Sequence, residues 1–256
     1  MASSVNILEK IRGKIIGIWK NVLFSFRKIF FNKQDFERSL EVLKITEKEC
    51  NGQNPFEVVL RFKGCGEYAS IAPKQAPSEI QALYGIVREM RPKVVCEIGT
   101  YKGGTLYLWC KASSPDAQII SCDLPQGLRN AFSENRRRFY RHFSHNGQRM
   151  QFFPGDSHSR MIRESVEKAL GGQKIDFLFI DGDHRLQGVK ADFDNFASLV
   201  RKDGIIAFHD IFPRPEFPEI EVYKFWNDVK KSSRHTQEIK AMEGERPIGI
   251  GVLWKE

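Results

Sequence analysis

Acidic and imidazole side chains follow two apolar runs of the sequence that are typical of buried strands. Asp181, Asp183 and His184 come after the run FLFI, and His209 and Asp210 come after the run IIAF. Carboxylates this close destabilise each other unless a cation or a proton lies between them. Oxygen-rich sites with few histidines suit Mg²⁺ or Mn²⁺, so the pattern predicts a divalent-metal site. The alternative is structural, with Asp183 capping the next helix and His209 making a hydrogen bond.

A glycine turn follows an earlier apolar strand and reads EIGTYKGGT, from Glu97 to Thr105. Its glycines let the backbone pass close to a ligand, and the helix that follows can hold a carboxylate at its N-terminus. The spacing is not GxGxxG, which disfavours a dinucleotide pyrophosphate. Such turns also serve ordinary strand-to-helix geometry, so this turn is a candidate cofactor site and no more.

Two further strand ends carry polar residues that fit a nucleoside. Asp123 lies 24 residues after Gly99 and ends the next apolar run, where a carboxylate can accept both hydroxyls of a ribose. Asp156 and Ser157 follow the third run and either hold an adenine ring or cap the next helix. The alternative for Asp123 is a helix cap or a loop carboxylate.

Short apolar runs alternate with amphipathic helical patterns from Pro77 onward. This alternation predicts a doubly wound α/β domain whose mostly parallel sheet is covered on both faces. The predicted strands cover residues 94–98, 119–122, 150–153, 177–180, 205–208 and 249–254. A weak alternation from Val58 to Phe62 predicts an additional edge strand. The helix that begins near Leu186 is expected to continue through Val200.

The composition fits a globular protein, and the net charge of +8 is concentrated at one end. Residues 1–33 contain seven basic residues and one acidic residue, which leaves the rest of the chain nearly neutral and argues against a nucleic-acid partner. Five scattered cysteines without a CxxC pair indicate a reducing, cytoplasmic compartment. No apolar stretch reaches the length of roughly 18 residues that a membrane span needs.

The basic segment 1–33 has an apolar stripe at steps of three and four residues, which predicts an amphipathic helix. Its Trp and Phe residues and its basic face suit the surface of an anionic membrane. The alternative is that the helix docks on its own domain or on a second subunit in a homo-oligomer. Residues 34–76 form an extension, and the main domain is expected at 77–256.

A long insert, Gln126 to Arg149, separates the second and third predicted strands. It combines arginines and histidines with four aromatic residues. A basic aromatic segment suits a sugar, a phosphorylated glycan or another anionic molecule. The alternative is a solvated helix whose aromatic residues pack on the core.

Together the motifs VVCEIGTYKGGT, CDLP, PGDSHS, IDFLFIDGDH, GVKADF, LVRKDGIIAFHD and GIGVLW resemble class I S-adenosylmethionine-dependent methyltransferases. The resemblance extends from about Ala76 to the C-terminus and is greatest to the cephalosporin hydroxylase-like and macrocin (rhamnosyl) O-methyltransferase-like group. It implies a seven-stranded Rossmann-like fold, S-adenosylmethionine as the cofactor, and methyl transfer to a hydroxyl of a saccharide or another small molecule. The other candidate functions are a nucleic-acid methyltransferase and a non-catalytic membrane-associated module.

The cofactor motifs are also similar to those of catechol O-methyltransferase, and this similarity implies roles for individual residues. Those expected to hold the cofactor are Glu97, Gly99, Tyr101, Gly103, Thr105, Asp123, Asp156, Ser157 and His158. The residues expected to hold the metal are Asp181, His209 and Asp210. His184 occupies the place of the catalytic lysine of the catechol enzymes, and Asp183 is the rival base.

Overall fold

A computed structural model describes residues 33–50, 54–126, 131–145, 147–244 and 246–256. The predicted amphipathic helix therefore lies outside the described residues, except for Lys33. Within the described ranges, no helix has the length and apolar character to cross a membrane.

Eight helices and seven strands make up the described chain. The helices are α1 (33–49), α2 (Pro55–Arg61), α3 (Pro77–Met90), α4 (Gly104–Ala112), α5 (Glu134–Tyr140), α6 (Arg160–Leu170), α7 (Leu186–Phe196) and α8 (Val222–Ser232). The strands are β1 (Val94–Ile98), β2 (Gln118–Asp123), β3 (Arg149–Pro154), β4 (Ile175–Ile180), β5 (Val200–His209), β6 (Thr236–Glu243) and β7 (Arg246–Trp254).

The strands form one sheet in the order β3-β2-β1-β4-β5-β7-β6, which confirms the predicted doubly wound α/β fold with seven strands. The first five strands in this order are parallel, and β7 runs antiparallel to both of its neighbours. The chain proceeds from β1 to β2 on one side and returns to β4 on the other. Ligands of open α/β sheets bind at the carboxyl ends of the strands beside such a reversal.

Alternate residues of the strands supply two cores, one on each face of the sheet. In β1, Val95 packs into the core covered by α3 and α4, whereas Val94, Cys96 and Ile98 pack into the core covered by α6, α7 and α8. Because both faces are covered, every residue of β1 is buried. This explains why the strand reads as a continuous apolar run.

Two predictions about local structure were wrong, and one strand was missed. The proposed edge strand at 58–62 lies mostly in α2, because Asn54 Oδ1 accepts backbone hydrogen bonds from Phe56 and Glu57 at 3.1 and 3.4 Å, and Pro55 begins the helix. Helix α7 ends at Phe196, so Val200 begins β5. Strand β6 was not predicted; it is an edge strand that buries only Ile239 and Ala241.

The extension before Pro77 is part of the same core. Phe56, Val59, Phe62, Tyr68 and Ile71 are buried in the cluster that also contains the inward residues of β1 and α4. The segment therefore contributes to the framework that positions the site.

Candidate active site

Three side chains with metal-binding atoms meet at the carboxyl ends of β4 and β5. Ligand atoms of Asp181, His184 and His209 all lie within 4.8 Å of one another. His209 Nδ1 is 3.0 Å from Asp181 Oδ1, and His184 Nε2 is 3.4 Å from the same oxygen. We call these three residues the Asp181 cluster. One carboxylate and two imidazoles are a donor set that fits a divalent cation.

Asp210 lies beside the cluster, with its Oδ2 3.6 Å from His209 Nδ1. Its Oδ2 lies 2.7 Å from His184 Nδ1, and its Oδ1 lies 2.8 Å from a terminal nitrogen of Arg214. The residue has a φ of 62°, which is uncommon outside glycine. Asp210 therefore orients His184, and its predicted role as a direct metal ligand stays a prediction.

Two residues from the start of α3 complete the surroundings of the cluster, and sequence reasoning missed both. Gln75 Nε2 donates to Asp181 Oδ2 at 2.5 Å. Glu79 is fully buried, accepts the backbone N–H of Ala76 at 2.7 Å, and places Oε1 3.2 Å from His209 Nε2. The glutamate three residues after the N-cap was a recognisable helix-start signal. Nothing in the sequence pairs it with a histidine 130 residues away.

The charges of the site shift the pKa of His184, His209 and Asp210. Burial lowers the pKa of the two histidines, but the carboxylates of Asp181 and Asp210 outweigh burial, so the pKa of His184 is raised and that of His209 is raised well above 6.5. Burial raises the pKa of Asp210, but the hydrogen bond from His184 and the charge of His209 outweigh it and hold the value low. The cluster thus combines anionic carboxylates with imidazoles as proton carriers.

The glycine turn touches the Asp181 cluster directly. Gly99 has a φ of 85°, and a Cβ at this position would overlap the carbonyl oxygen of Asp181. Gly103 has a φ of 82° and faces the ring of Tyr140. These two positions require glycine both for the backbone conformation and for the space that a side chain would occupy.

Asp123 joins the turn to β2. Its Oδ2 accepts the backbone N–H groups of Thr100 and Tyr101, both at 2.9 Å, and its Oδ1 accepts that of Leu124 at 2.7 Å. Burial raises the pKa of Asp123, although these three hydrogen bonds favour the ionised form. The structure thus brings Asp123 and the Gly99 turn into one crevice, as the spacing predicted.

Comparison with known proteins identifies the central part of the chain. A family described as "Methyltransferase domain" matches residues 96–211, a little under half of the chain. This part of the chain is similar to a methyltransferase domain, and it lies within the doubly wound sheet described above.

Solved structures with the same fold include O-methyltransferases. The O-methyltransferase TomG from Streptomyces achromogenes, in complex with S-adenosylmethionine, has a TM-score of 0.55 and 13% identity, covering 72% of this chain and 82% of its own. The O-methyltransferase from Bacillus cereus, in complex with S-adenosylhomocysteine, has a TM-score of 0.55 and 15% identity, covering 86% of this chain and 100% of its own. At these identities the likeness concerns the fold.

Curated relatives are uncharacterised. A protein of Sinorhizobium fredii is 27% identical over 150 residues, which are 56% of this chain and 16% of that protein. A protein of Acanthamoeba polyphaga mimivirus is 33% identical over 114 residues, which are 44% of this chain and 49% of that protein. The chain thus spans about half or less of the length of these relatives.

Glu97 lies near the end of β1, next to the glycine turn. It is fully buried, and its Oε1 accepts the indole N–H of Trp109 at 2.9 Å. Burial raises its pKa to about 8, because desolvation penalises the carboxylate more than its hydrogen bonds favour it. Glu97 is therefore a buried residue at the start of the turn. Its predicted contact with the cofactor stays a prediction.

We expect the stability of the folded protein to decline between about pH 4.5 and 8 because of Glu97. The folded protein keeps a proton that the unfolded chain releases near pH 4.5, so this contribution is complete below that pH and is lost by about pH 8. Each pH unit in this window contributes about 1.4 kcal/mol. Chemical denaturation of Glu97→Gln should show a flatter pH dependence, and the exposed Glu89→Gln should behave like the unmodified protein. Equal pH slopes for all three proteins would contradict the prediction.

The residue that caps α6, after the end of β3, is not one of the two that the sequence suggested. Ser159, not Asp156 or Ser157, caps α6 by accepting the N–H of Ile162 at 3.3 Å. Asp156 Oδ1 instead accepts the N–H of His158 at 3.0 Å. The side chains of Asp156 and Ser157 therefore do not cap α6, and the predicted contacts of Asp156, Ser157 and His158 with adenine stay predictions.

The insert is more deeply packed than its charge suggests. Phe132, Phe139, Tyr140 and Phe143 are buried, and the Tyr140 hydroxyl lies 2.8 Å from the carbonyl oxygen of Tyr101. The guanidinium groups of Arg137, Arg138 and Arg141 lie 5.2 to 5.7 Å from the ring centroids of aromatic residues. The alternative in which the aromatic residues pack on the core therefore describes these residues of the insert. Arg136 differs from the three other arginines because its own side chain is buried.

Proposed function

We propose that this chain is an O-methyltransferase that transfers the methyl group of S-adenosylmethionine to a hydroxyl of a saccharide or another small hydroxylated molecule. The observation that carries the proposal is the direct contact between the Gly99 turn and the backbone of Asp181. It places a cofactor-type turn beside a group of proton-binding and metal-binding side chains. The O-methyltransferases that share the fold support the same reaction class.

The residues present fit the cofactor. The turn has glycines with positive φ at positions 99 and 103, and the carboxylate of Asp123 is hydrogen-bonded to its backbone at Thr100 and Tyr101. The cofactor supplies an electrophilic methyl group on a sulfonium. The chain's contribution is to hold cofactor and acceptor in line and to take the proton of the acceptor hydroxyl.

The residues present also fit a divalent cation, which Asp181 and His209 would hold. Such an ion lowers the pKa of a hydroxyl that binds to it. The sequence predicted Mg²⁺ or Mn²⁺. A set that includes imidazole nitrogen favours Mn²⁺ over Mg²⁺, because Mg²⁺ prefers oxygen ligands.

Of the two candidate bases, the geometry favours His184. Both oxygens of Asp183 face the guanidinium of Arg185, and this hydrogen bond holds the pKa of Asp183 below its usual value. His184 Nδ1 is engaged by Asp210, which fixes the ring and leaves Nε2 toward Asp181 and the acceptor side. A carboxylate that orients an imidazole in this way prepares it to accept a proton at the opposite nitrogen.

Replacing the base should separate catalysis from binding. We expect His184→Asn to lower kcat by about 10²-fold or more, since general base catalysis contributes that much. Affinity for S-adenosylhomocysteine and for Mn²⁺, measured by calorimetry, should stay unchanged. The exposed His235→Asn is the matched control. A loss of Mn²⁺ affinity in His184→Asn would show that His184 is a ligand and not the base.

The proposed function itself is tested with the unmodified chain. Calorimetry should detect S-adenosylhomocysteine binding, and radiolabelled S-adenosylmethionine should label a hydroxylated acceptor from a library of glycosides and phenols. Labelling of RNA instead would favour a nucleic-acid methyltransferase. Cofactor binding without transfer to any compound would favour a non-catalytic module.

We also propose that residues 1–33 attach the protein to the cytoplasmic face of an anionic membrane. The support is the basic and apolar pattern of this segment. Deletion of residues 1–32 should reduce sedimentation with vesicles containing anionic lipid at least about tenfold, because each basic residue near the surface contributes about 1 kcal/mol. The full chain with neutral vesicles is the control. Undiminished association after the deletion would remove the proposal.

A further inference from the structure

A cavity of about 250 Å³ lies between the glycine turn and the insert, apart from the Asp181 cluster. Tyr101 and Lys102 form one wall, Arg136 of α5 forms the second, and Glu67 and Ser70 of the extension form the third. Tyr101, Lys102 and Ser70 are half-buried and Ala69 is exposed, so the cavity opens to solvent. Tyr101 is the only predicted cofactor residue that lines it.

The walls of the cavity carry two cations, Arg136 and Lys102, and neither forms an ion pair within the described residues. Arg136 is only 7% exposed; one terminal nitrogen donates to the carbonyl oxygen of Glu67, and Nε has no acceptor among the described residues. The Lys102 ammonium lies 5.5 Å from the centroid of the Tyr101 ring and forms no ion pair within the described residues. A buried cation without a counter-ion is costly, and a bound anion would remove that cost.

The remaining polar groups of the walls are consistent with an anion. The Glu67 carboxylate is engaged outside the cavity by Ser133 and Asn135, both at 3.1 Å. Ser70 Oγ accepts the N–H of Ala72 at 3.1 Å, which leaves the hydroxyl proton free to donate. The cavity thus offers a guanidinium, an ammonium and a hydroxyl as donors.

The cavity is connected to the reacting centre by two consecutive residues. The Lys74 ammonium lies 5.8 Å from the Tyr101 ring at the cavity, and Gln75 donates to Asp181 in the cluster. Tyr101 lines the cavity, and Gly99, two residues earlier in the same turn, contacts the backbone of Asp181, so the cavity and the Asp181 cluster border the same glycine turn.

We propose that this cavity binds a phosphate or carboxylate group of the methyl acceptor, so that the acceptor is an acidic hydroxylated molecule such as a phosphorylated or carboxylated saccharide. The inference rests on the proposed function and narrows its substrate class. Lys102 and Arg136 are the specificity-determining residues, because their donors match the oxygens of an anion.

Inorganic phosphate and acetate are the probes, titrated by calorimetry into the full chain saturated with S-adenosylhomocysteine. We expect binding of at least one anion, weakened about tenfold by Lys102→Ala and by Arg136→Gln. Arg138→Ala removes the same charge from α5 outside the cavity and should leave the affinity unchanged. Lys102→Ala keeps the test valid if the buried Arg136 variant does not fold.

The outcomes separate this inference from the proposed function. Anion binding that disappears when S-adenosylhomocysteine saturates the protein would overturn the inference, because the cavity would then hold the carboxylate of the cofactor. Equal weakening by Lys102→Ala and Arg138→Ala would overturn it as well, since only general charge would be involved. Failure of the unmodified chain to bind S-adenosylhomocysteine would instead overturn the proposed function.

Discussion

Asp181→Asn is expected to lower methyl transfer by at least about 10³-fold while leaving cofactor binding intact. The carboxylate lies 3.0 Å from His209 Nδ1 and 3.4 Å from His184 Nε2, so it is the common neighbour of both imidazoles. Removing its charge eliminates one of the two ligands proposed to hold the cation. Loss of a metal or of a preorganised charge in an active site costs about 10² to 10³ or more in rate.

Two measurements define the result for Asp181. The kcat of the variant should fall, and calorimetry should show unchanged affinity for S-adenosylhomocysteine, because only the backbone of residue 181 contacts the Gly99 turn. Asp228→Asn makes the same chemical change on an exposed part of α8 and serves as the control. Turnover by Asp181→Asn near that of the control would exclude an essential role for this carboxylate.

Gly99→Ala is expected to destabilise the fold by at least about 2 kcal/mol and to abolish cofactor binding. A residue with a side chain pays about 1 to 2 kcal/mol for the left-handed conformation at this position. The new Cβ would also overlap the carbonyl oxygen of Asp181, which cannot move without displacing the end of β4. Both effects would distort the region between the ends of β1 and β4, where we expect the cofactor to bind.

Gly171→Ala separates the two costs. Gly171 has a φ of 57° at the end of α6, and no atom lies within 4 Å of its would-be Cβ. Its alanine variant should therefore lose only about 1 kcal/mol and should keep full cofactor affinity. Urea denaturation and calorimetry with S-adenosylhomocysteine measure both effects. Equal destabilisation by the two variants would show that the overlap with the Asp181 carbonyl oxygen does not contribute to the loss of stability.

Much of the fold could be predicted because the strands of the parallel sheet are buried on both faces. Burial makes β1, β4 and the inner part of β5 continuous apolar runs, and these were recognised close to their observed bounds. Strand β6 was missed because an edge strand buries only alternate residues such as Ile239 and Ala241, and its other face is polar. Helix α2 was wrongly predicted as a strand, because the weak alternation of apolar residues was given more importance than the helix-start signals Asn54 and Pro55.

The site was predictable where its residues follow strand ends, since a parallel sheet gathers those ends at one edge. Asp123, Asp181, His184 and His209 were found in this way. Gln75 and Glu79 were not found, because their partners depend on how α3 packs across the sheet. A single sequence does not show this packing. The orientation of Asp210 toward His184 likewise depends on a single backbone conformation with positive φ.

Gln75 and Glu79 have a consequence for how such chains are divided. The match to the family described as "Methyltransferase domain" begins at residue 96, yet α3 and the segment before it supply hydrogen bonds to Asp181 and His209 and a large part of one core. A fragment limited to residues 96–211 would keep most of the sequence motifs but would lose these hydrogen bonds and the part of the core that residues 56–90 supply.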